Sequence, residues 1–199
     1  MTIESINPAT GQVIETFEPF TTAQVDETLA RARAAYRRWR ATSFAERAAL
    51  LRRVASLLRA QQDDLARVAT LEMGKTLAES RAEVEKCAWN CDYYAENGET
   101  FLSPEKIATN AAESYVEFTP LGVVLAIMPW NFPYWQVIRF AAPAVMAGNA
   151  AVLKHASNVT RCGLEIERIF REAGAPDGCG RELHRVKLAG EEPITAVAA

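Results

Sequence analysis

Two short apolar runs in the second half of the chain constrain the fold more than any other feature. Val123–Met128 contains two valines and an isoleucine, and Ala150–Leu153 is shorter but also wholly apolar. Such runs without polar alternation are typical of strands buried on both faces of a parallel sheet. Helical patterns follow each of them, over Tyr134–Ala147, with a kink or break expected at Pro143, and over Val159–Ala173. The order strand, helix, strand, helix predicts two adjacent parallel strands with a right-handed crossover.

The segments that follow the two strands are expected to meet on one edge of this sheet. Ligands of open α/β sheets bind outside the carboxyl ends of the strands. Here those ends are Pro129-Trp130-Asn131 and Lys154-His155-Ala156-Ser157. The pattern therefore predicts one rim formed by two segments that are distant in sequence.

Three residues on this rim suit ligand chemistry, and each also has a simpler interpretation. Lys154 leaves a buried strand, where its ammonium would suit ribose hydroxyls or a phosphate. The amide of Asn131 could donate to a developing oxyanion, and Trp130 could form the wall of a pocket. Alternatively, Lys154 is a solvated strand-end lysine, Asn131 a turn or capping residue, and Trp130 part of the core.

The first half of the chain has helical patterns. Thr21 or Thr22 can cap the first helix, Ser43 and Glu46 form a capping box for the second, and Gly74 ends its continuation. A further helix is predicted from about Leu77 to Tyr94. The expected buried faces of the first and last of these helices are Val25, Leu29, Ala32, Tyr36 and Trp39, and Val84, Cys87, Ala88, Cys91 and Tyr94.

Composition excludes several classes of protein. The 199 residues are 49% hydrophobic and 24% charged, which is typical of a globular domain and not of a disordered chain. A net charge of −3 offers no broad basic surface for nucleic acid or an anionic membrane. The sequence shows no apolar stretch of membrane-spanning length and no signal-peptide pattern, so a cytoplasmic protein is expected. Neither a dinucleotide-binding glycine fingerprint nor a P-loop occurs, and the two histidines and four cysteines predict no metal site.

Six motifs together resemble the aldehyde dehydrogenase superfamily. They occur in the family's order and at family-like spacing between Ile6 and Gly178: Ile6–Gly11, Leu71–Lys75, Pro120–Val123, Met128–Pro133, Ala147–Asn149 and Leu153–Asn158. The Lys-His-Ala-Ser-Asn form of the last motif and the stretch Tyr93–Asn97 are most similar to bacterial succinate-semialdehyde dehydrogenases.

The resemblance implies an incomplete α/β fold. Residues 1–178 would supply the leading helices and the first βαβα of a Rossmann-like cofactor domain, without the catalytic domain. Residues 114–118, which alternate as a half-buried or edge strand would, match an oligomerisation strand, and a homo-oligomer is expected of the full-length parent. Residues 179–199 are an aberrant or unassigned tail. An internal deletion would account for it, and so would a local frameshift, since Leu188–Ala199 could form the next helix of the cofactor domain.

The resemblance also assigns site residues. Asn131 matches the asparagine whose amide stabilises the oxyanion of the thiohemiacetal, and Trp130 and Asn131 match residues at the nicotinamide end of the cofactor cleft. Lys154 matches the lysine that binds the adenosine ribose, and His155, Ala156 and Ser157 complete that end. A neutral serine at position 157 would not repel a 2′-phosphate as a glutamate would, so NADP is expected to be accepted as well as NAD.

The catalytic motifs of the family are missing from the sequence. The nucleophilic cysteine and the glutamate base lie in motifs that this chain does not contain, and Cys87, Cys91, Cys162 and Cys179 stand in other contexts. The parent reaction would be NAD(P)-dependent oxidation of an aldehyde, with succinate semialdehyde as the expected substrate, and this chain alone is expected to be inactive. Two alternatives are a non-catalytic nucleotide-binding or oligomerising module, and a non-functional product of a disrupted gene.

Overall fold

The computed structural model describes residues 2–177 and the backbone of Arg181–Glu182. Helices dominate the first half, and a parallel sheet with its crossover helices forms the second. In chain order the described elements are β1 Ile3–Ile6, β2 Val13–Phe17, α1 Thr22–Trp39, α2 Phe44–Ala60, α3 Gln62–Met73, α4 Leu77–Leu102, β3 Glu105–Lys106, β4 Tyr115–Val116, β5 Val123–Met128, α5 Trp135–Met146, β6 Ala150–His155, α6 Thr160–Glu172 and β7 Arg181–Glu182.

The predicted parallel pair is confirmed. Strands β5 and β6 pair in parallel with Val123 opposite Ala150 and Met128 opposite His155, so both strands end at the same level. The backbone of β7 pairs in parallel with the other side of β6, which makes the strand order β5-β6-β7. Helices α5 and α6 are the expected crossovers, and α5 continues through Pro143. The α/β fold predicted from the sequence is therefore the fold observed.

Strand β5 is not buried on both faces, contrary to the prediction. Ala126 is buried against the helices, but Leu125 and Ile127 are each 57% exposed. Both crossover helices pack on the face that contains Ala126. The opposite face is covered by α1, which reaches Val152 of β6 through Ala32 and leaves the outer part of β5 open.

The helix boundaries follow the predicted capping residues. Thr21 and Ser43 form capping boxes with Gln24 and Glu46, and Gly74 ends α3 with a left-handed φ of 86°. On α1, however, Thr28 is buried and Leu29 is partly exposed. The Thr28 hydroxyl donates to the carbonyl of Gln24 at 2.8 Å, which satisfies its polar group inside the helix packing.

Two other predictions on this part of the chain need correction. Helix α4 does not end near Tyr94 but continues to Leu102. The strand predicted over 114–118 is shorter, and the exposure of Tyr115 and Val116 fits the edge strand of the two alternatives and not the half-buried one. Within the described residues β4 pairs only with β3, another exposed two-residue strand, so neither face of the hairpin is covered. None of the described helices is long and apolar enough to cross a membrane.

Gly98 explains how α4 continues past its predicted end. The residue is buried against α5, and a Cβ added there would overlap Cγ of Met146. Glycine is unfavourable inside a helix by about 1 kcal/mol relative to alanine. Here the missing side chain allows α4 and α5 to approach closely, and packing outweighs the poor helix propensity.

We expect Gly98→Ala to lower the free energy of unfolding by roughly 1–2 kcal/mol, because the overlap with Met146 outweighs the gain in helix propensity. Urea denaturation followed by circular dichroism measures it. The same substitution in a Met146→Ala background should cost less, and Glu99→Ala, an exposed neighbour on α4, is the matched control. A stabilising Gly98→Ala would contradict the packing argument.

Candidate functional site

The structure brings the two predicted rim segments together at the end of the sheet. The last residues of β5 and β6, Met128 and His155, are register partners. Trp130 and Asn131, which follow β5, therefore lie beside the residues that follow β6. Trp130, Asn131 and Ser157 are exposed, and Lys154 and Ala156 are partly buried. The sequence reasoning therefore identified residues that share one accessible edge.

His155 differs from its neighbours because its side chain is fully buried. The backbone N–H of Ala156 donates to Nδ1 at 2.9 Å, so Nε2 carries the proton and donates to the carbonyl of Pro133 at 2.8 Å. Burial lowers the pKa of the imidazole to about 4, which keeps it neutral at physiological pH. The imidazole thus joins the end of β6 to the loop after β5, on the inner side of the rim.

Lys154 lies at the boundary between this rim and the open face of the sheet. Its register partner on β5 is the exposed Ile127, so the lysine side chain emerges beside an uncovered apolar surface. Nζ donates to the carbonyl of His155 at 3.0 Å, and no carboxylate of residues 2–177 forms an ion pair with it. An ammonium without a carboxylate partner beside an apolar surface suits the ribose and phosphate groups of a nucleotide.

Buried carboxylates occupy the N-termini of both crossover helices. Glu83 of α4 accepts the backbone N–H groups of Tyr134 and Trp135 at 2.8 and 2.9 Å, at the start of α5. Glu72 of α3 accepts those of Arg161 and Cys162 at 2.9 and 2.8 Å, at the start of α6. A helix N-terminus favours negative charge, so each carboxylate replaces water or a ligand at that position.

Arginines of α2 bind the opposite ends of the same helices. The guanidinium of Arg47 donates to the carbonyl of Met146 at 3.2 Å, at the end of α5. Arg53 donates to the carbonyl of Ala173 at 2.6 Å, immediately after α6. Burial lowers the pKa of Arg47, whose ordinary value lies far above physiological pH, so it remains charged. Both crossover helices are therefore held at each end by a charge that complements the helix dipole.

Filled helix N-termini affect how a dinucleotide could bind. In the common fingerprint, glycines expose a helix N-terminus to the pyrophosphate. The starts of α5 and α6 are both satisfied by the protein's own carboxylates, which agrees with the absence of that glycine pattern. These hydrogen-bonded backbone N–H groups at the starts of α5 and α6 are therefore not available to a phosphate at this rim.

The sequence analysis did not predict the roles of Glu72 and Glu83. It also missed Lys75, which forms an ion pair with Glu83. Glu72 and Lys75 belong to a motif that was recognised without a physical role for either residue. Glu83 precedes Cys87 by one helical turn on the buried face of α4, and a charge inside an apolar stripe was the available signal. The described residues contain no group of three side chains able to hold a metal ion.

The described cysteines lie away from the rim surface. Cys87, Cys91 and Cys162 are all buried. Burial raises the pKa of Cys91 to about 12 and raises the pKa values of Cys87 and Cys162 well above their usual range. None of these thiols can form the exposed thiolate that a nucleophile requires. Cys179 lies outside the described residues.

Comparison with known proteins decides the family. A profile of the Aldehyde dehydrogenase family matches residues 1–190, past the predicted boundary at Gly178. The chain belongs to the aldehyde dehydrogenase family.

Its relatives include succinate-semialdehyde dehydrogenases. The chain is 48% identical over 183 residues to the probable NADP-dependent enzyme of Synechocystis sp. and 50% identical over 188 residues to the NADP-dependent enzyme 1 of Mycobacterium tuberculosis. These matches cover 92% of this chain but only 40% and 41% of the relatives. The solved structure of the Streptococcus pyogenes succinic semialdehyde dehydrogenase with NADP⁺ matches with a TM-score of 0.86 at 38% identity, over 90% of this chain and 40% of that one. The chain thus spans about two fifths of the length of this family's enzymes.

We expect Glu72→Gln to lower the free energy of unfolding by about 2–3 kcal/mol. A glutamine amide accepts hydrogen bonds only at its oxygen, so one of the two backbone N–H groups at the start of α6 would point at the amide NH₂ group. Urea denaturation measures the loss. Glu96→Gln, an exposed glutamate of α4, is the control and should change stability by less than about 0.5 kcal/mol. Equal effects of the two substitutions would contradict the capping role.

Folding stability should depend on the protonation of His155. Since its folded pKa is about 4 and its unfolded pKa about 6.5, the unfolded chain binds the proton first, and stability falls as pH falls through this window. Between about pH 7 and pH 4.5, this histidine alone should cost about 2–3 kcal/mol of the free energy of unfolding. Urea denaturation at both pH values measures the difference.

His155→Gln is the variant that isolates this effect, because its amide can still donate to Pro133 but does not titrate. Its loss of stability on acidification should be smaller than that of the parent chain by the stated amount. An unchanged dependence in His155→Gln would refute the assignment.

Proposed function

We propose that this chain builds the cofactor rim of an NADP-dependent succinate-semialdehyde dehydrogenase. The observation that carries the proposal is the level ending of β5 and β6, which places Trp130-Asn131 beside Lys154–Ser157. The similarity to NADP-dependent relatives supports the choice of enzyme and substrate. The parent reaction is the oxidation of succinate semialdehyde to the carboxylic acid.

Lys154, Ala156 and Ser157 hold the adenosine end of the cofactor. The ammonium of Lys154 binds the ribose and its phosphate, and the adjoining apolar face of Leu125 and Ile127 offers a surface for the base. Ser157 is exposed and neutral, so it can donate to a 2′-phosphate without repelling it. His155 contributes through its backbone, since its imidazole is buried beneath the segment.

Trp130 and Asn131 lie at the nicotinamide end. Bound NADP supplies the acceptor for the hydride that the aldehyde loses. The exposed indole of Trp130 forms a wall that excludes water from this end, and the Asn131 amide donates to the oxygen on which negative charge develops. These roles require the loop to be held in place, which the hydrogen bond from His155 to Pro133 provides from the side of β6.

The chain by itself does not oxidise aldehydes. The three described cysteines are buried, and the sequence contains neither the family's nucleophile motif nor its base motif. These features also support a second candidate, a non-catalytic module that binds NADP or forms oligomers. The exposed β3–β4 hairpin is the surface we propose for pairing with other copies, with Tyr115, Val116 and Phe118 as its apolar side chains.

We expect the purified chain to bind NADP⁺ more tightly than NAD⁺, as measured by isothermal titration calorimetry. Ser157→Glu should weaken NADP⁺ binding at least tenfold, because a carboxylate would face the 2′-phosphate, while NAD⁺ binding is retained. Lys154→Ala should weaken both. Ser56→Glu places the same charge on an exposed position of α2 and should change neither. Equal effects of the two glutamates would refute the assignment of Ser157.

Assays of the same preparation should show no aldehyde-dependent formation of NADPH. Aldehyde oxidation would contradict the proposed inactivity of the isolated chain. The absence of any nucleotide binding, together with a lack of a cooperative thermal transition, would favour the non-functional product of a disrupted gene.

A further inference from the structure

A second set of contacts, separate from that of His155, reaches the loop after β5. Lys75, in the segment between α3 and α4, forms an ion pair with Glu83 of α4. The side chains are only 6% and 1% exposed, although both carry charge. The free energy needed to remove two charges from water can exceed the free energy gained from their attraction. Stability alone therefore does not explain why this ion pair is buried.

The carboxylate of this pair is fully used. One oxygen of Glu83 binds Lys75, and the other accepts the N–H groups of Tyr134 and Trp135. The first residues of α5 are therefore fixed relative to α4. They directly follow Asn131, Phe132 and Pro133, so the end of the loop cannot move without breaking these bonds.

The ammonium of Lys75 also reaches the loop itself. Nζ lies 4.2 Å from the ring centroid of Phe132, within the range of a cation–π interaction. Phe132 is 47% exposed, so the ring lies at the surface of the rim while the lysine beneath it is buried. The residue immediately before it is Asn131. A buried charge thus restrains the neighbour of the residue proposed to contact the reacting oxygen.

We propose that Lys75 and Glu83 are positioning residues for the nicotinamide end of the rim. The inference rests on the proposed function, and it adds the device that holds Trp130 and Asn131 in their binding geometry. The ion pair acts on the loop through the ring of Phe132 and the start of α5. Among the described residues, the hydrogen bonds and the cation–π contact of the pair go to Phe132, Tyr134 and Trp135, and none goes to Lys154 or Ser157.

The two ends of the cofactor provide a test that separates positioning from general stability. NADP⁺ spans both ends, whereas adenosine 2′,5′-bisphosphate carries only the adenosine end and its phosphates. Calorimetric titration of the full chain with each ligand gives two dissociation constants. Lys75→Met should weaken NADP⁺ binding about tenfold and change bisphosphate binding by less than about twofold. Lys75→Arg, which keeps the charge, should restore most of the NADP⁺ affinity.

The matched control is Arg81→Met. Arg81 of α4 pairs with Asp63 of α3 at 2.7 Å, so it also ties α4 to the chain that precedes it, but both side chains of this pair are exposed. This variant should leave both dissociation constants unchanged. A similar loss of NADP⁺ affinity in Arg81→Met would show that any weakened link between these helices suffices, and would overturn the proposal.

If Lys75→Met prevents folding, Phe132→Leu tests the same contact. It removes the exposed aromatic ring and leaves the buried ion pair of Lys75 and Glu83 intact. It should also weaken NADP⁺ selectively, and Lys75→Met added to it should cost less than in the parent chain. Equal weakening of both ligands by Lys75→Met, or no selective loss in Phe132→Leu, would refute the positioning role alone. Failure of the parent chain to bind either ligand would contradict the proposed function, and the positioning role with it.

Discussion

The structure depends on charged side chains at both ends of two helices, and three of the four, Glu72, Glu83 and Arg47, are buried. Glu72 and Glu83 bind the N-termini of α6 and α5, and Arg53 and Arg47 bind the opposite ends. All four residues come from the helical first half of the chain, and both helices belong to the βαβα unit. Each contact joins a side chain to backbone groups that would otherwise be unpaired. The leading helices therefore fix the crossover helices in position and orientation, which apolar packing alone would specify less sharply.

This arrangement has a consequence for ligand binding. With both helix N-termini satisfied internally, the rim cannot use the usual backbone cradle for phosphates. Lys154 of β6 is a cationic side chain at this edge, and no carboxylate of residues 2–177 forms an ion pair with it. The neutral imidazole of His155 joins the end of β6 to the loop that contains Trp130 and Asn131 through its hydrogen bond to Pro133, without adding charge. This edge of the sheet therefore combines the buried, neutral imidazole of His155 with the partly buried ammonium of Lys154.

One face of β5 is exposed next to this edge of the sheet. In an open α/β sheet the ligand binds beside the strand where the direction of winding changes. Here the strand order β5-β6-β7 runs in one direction from β5, whose outer edge has no partner among the described residues. Leu125 and Ile127 are exposed beside that edge. The chain covers about two fifths of its relatives' length.

The sequence by itself determined the elements and their order. The capping boxes at Thr21 and Ser43 and the end of α3 at Gly74 are local chemistry between near neighbours, and the two apolar runs with intervening helices allow only one handedness of crossover. The level rim followed from that topology. Only the tertiary structure decided which polar groups are buried and what they bind. Glu83 and Lys75 contact the start of α5 and Phe132, which are distant from them in sequence. The exposure of Leu125 depends on how much of the sheet α1 covers. Local patterns carry no information about such partners, because burial and hydrogen bonding between distant segments are properties of the assembled fold.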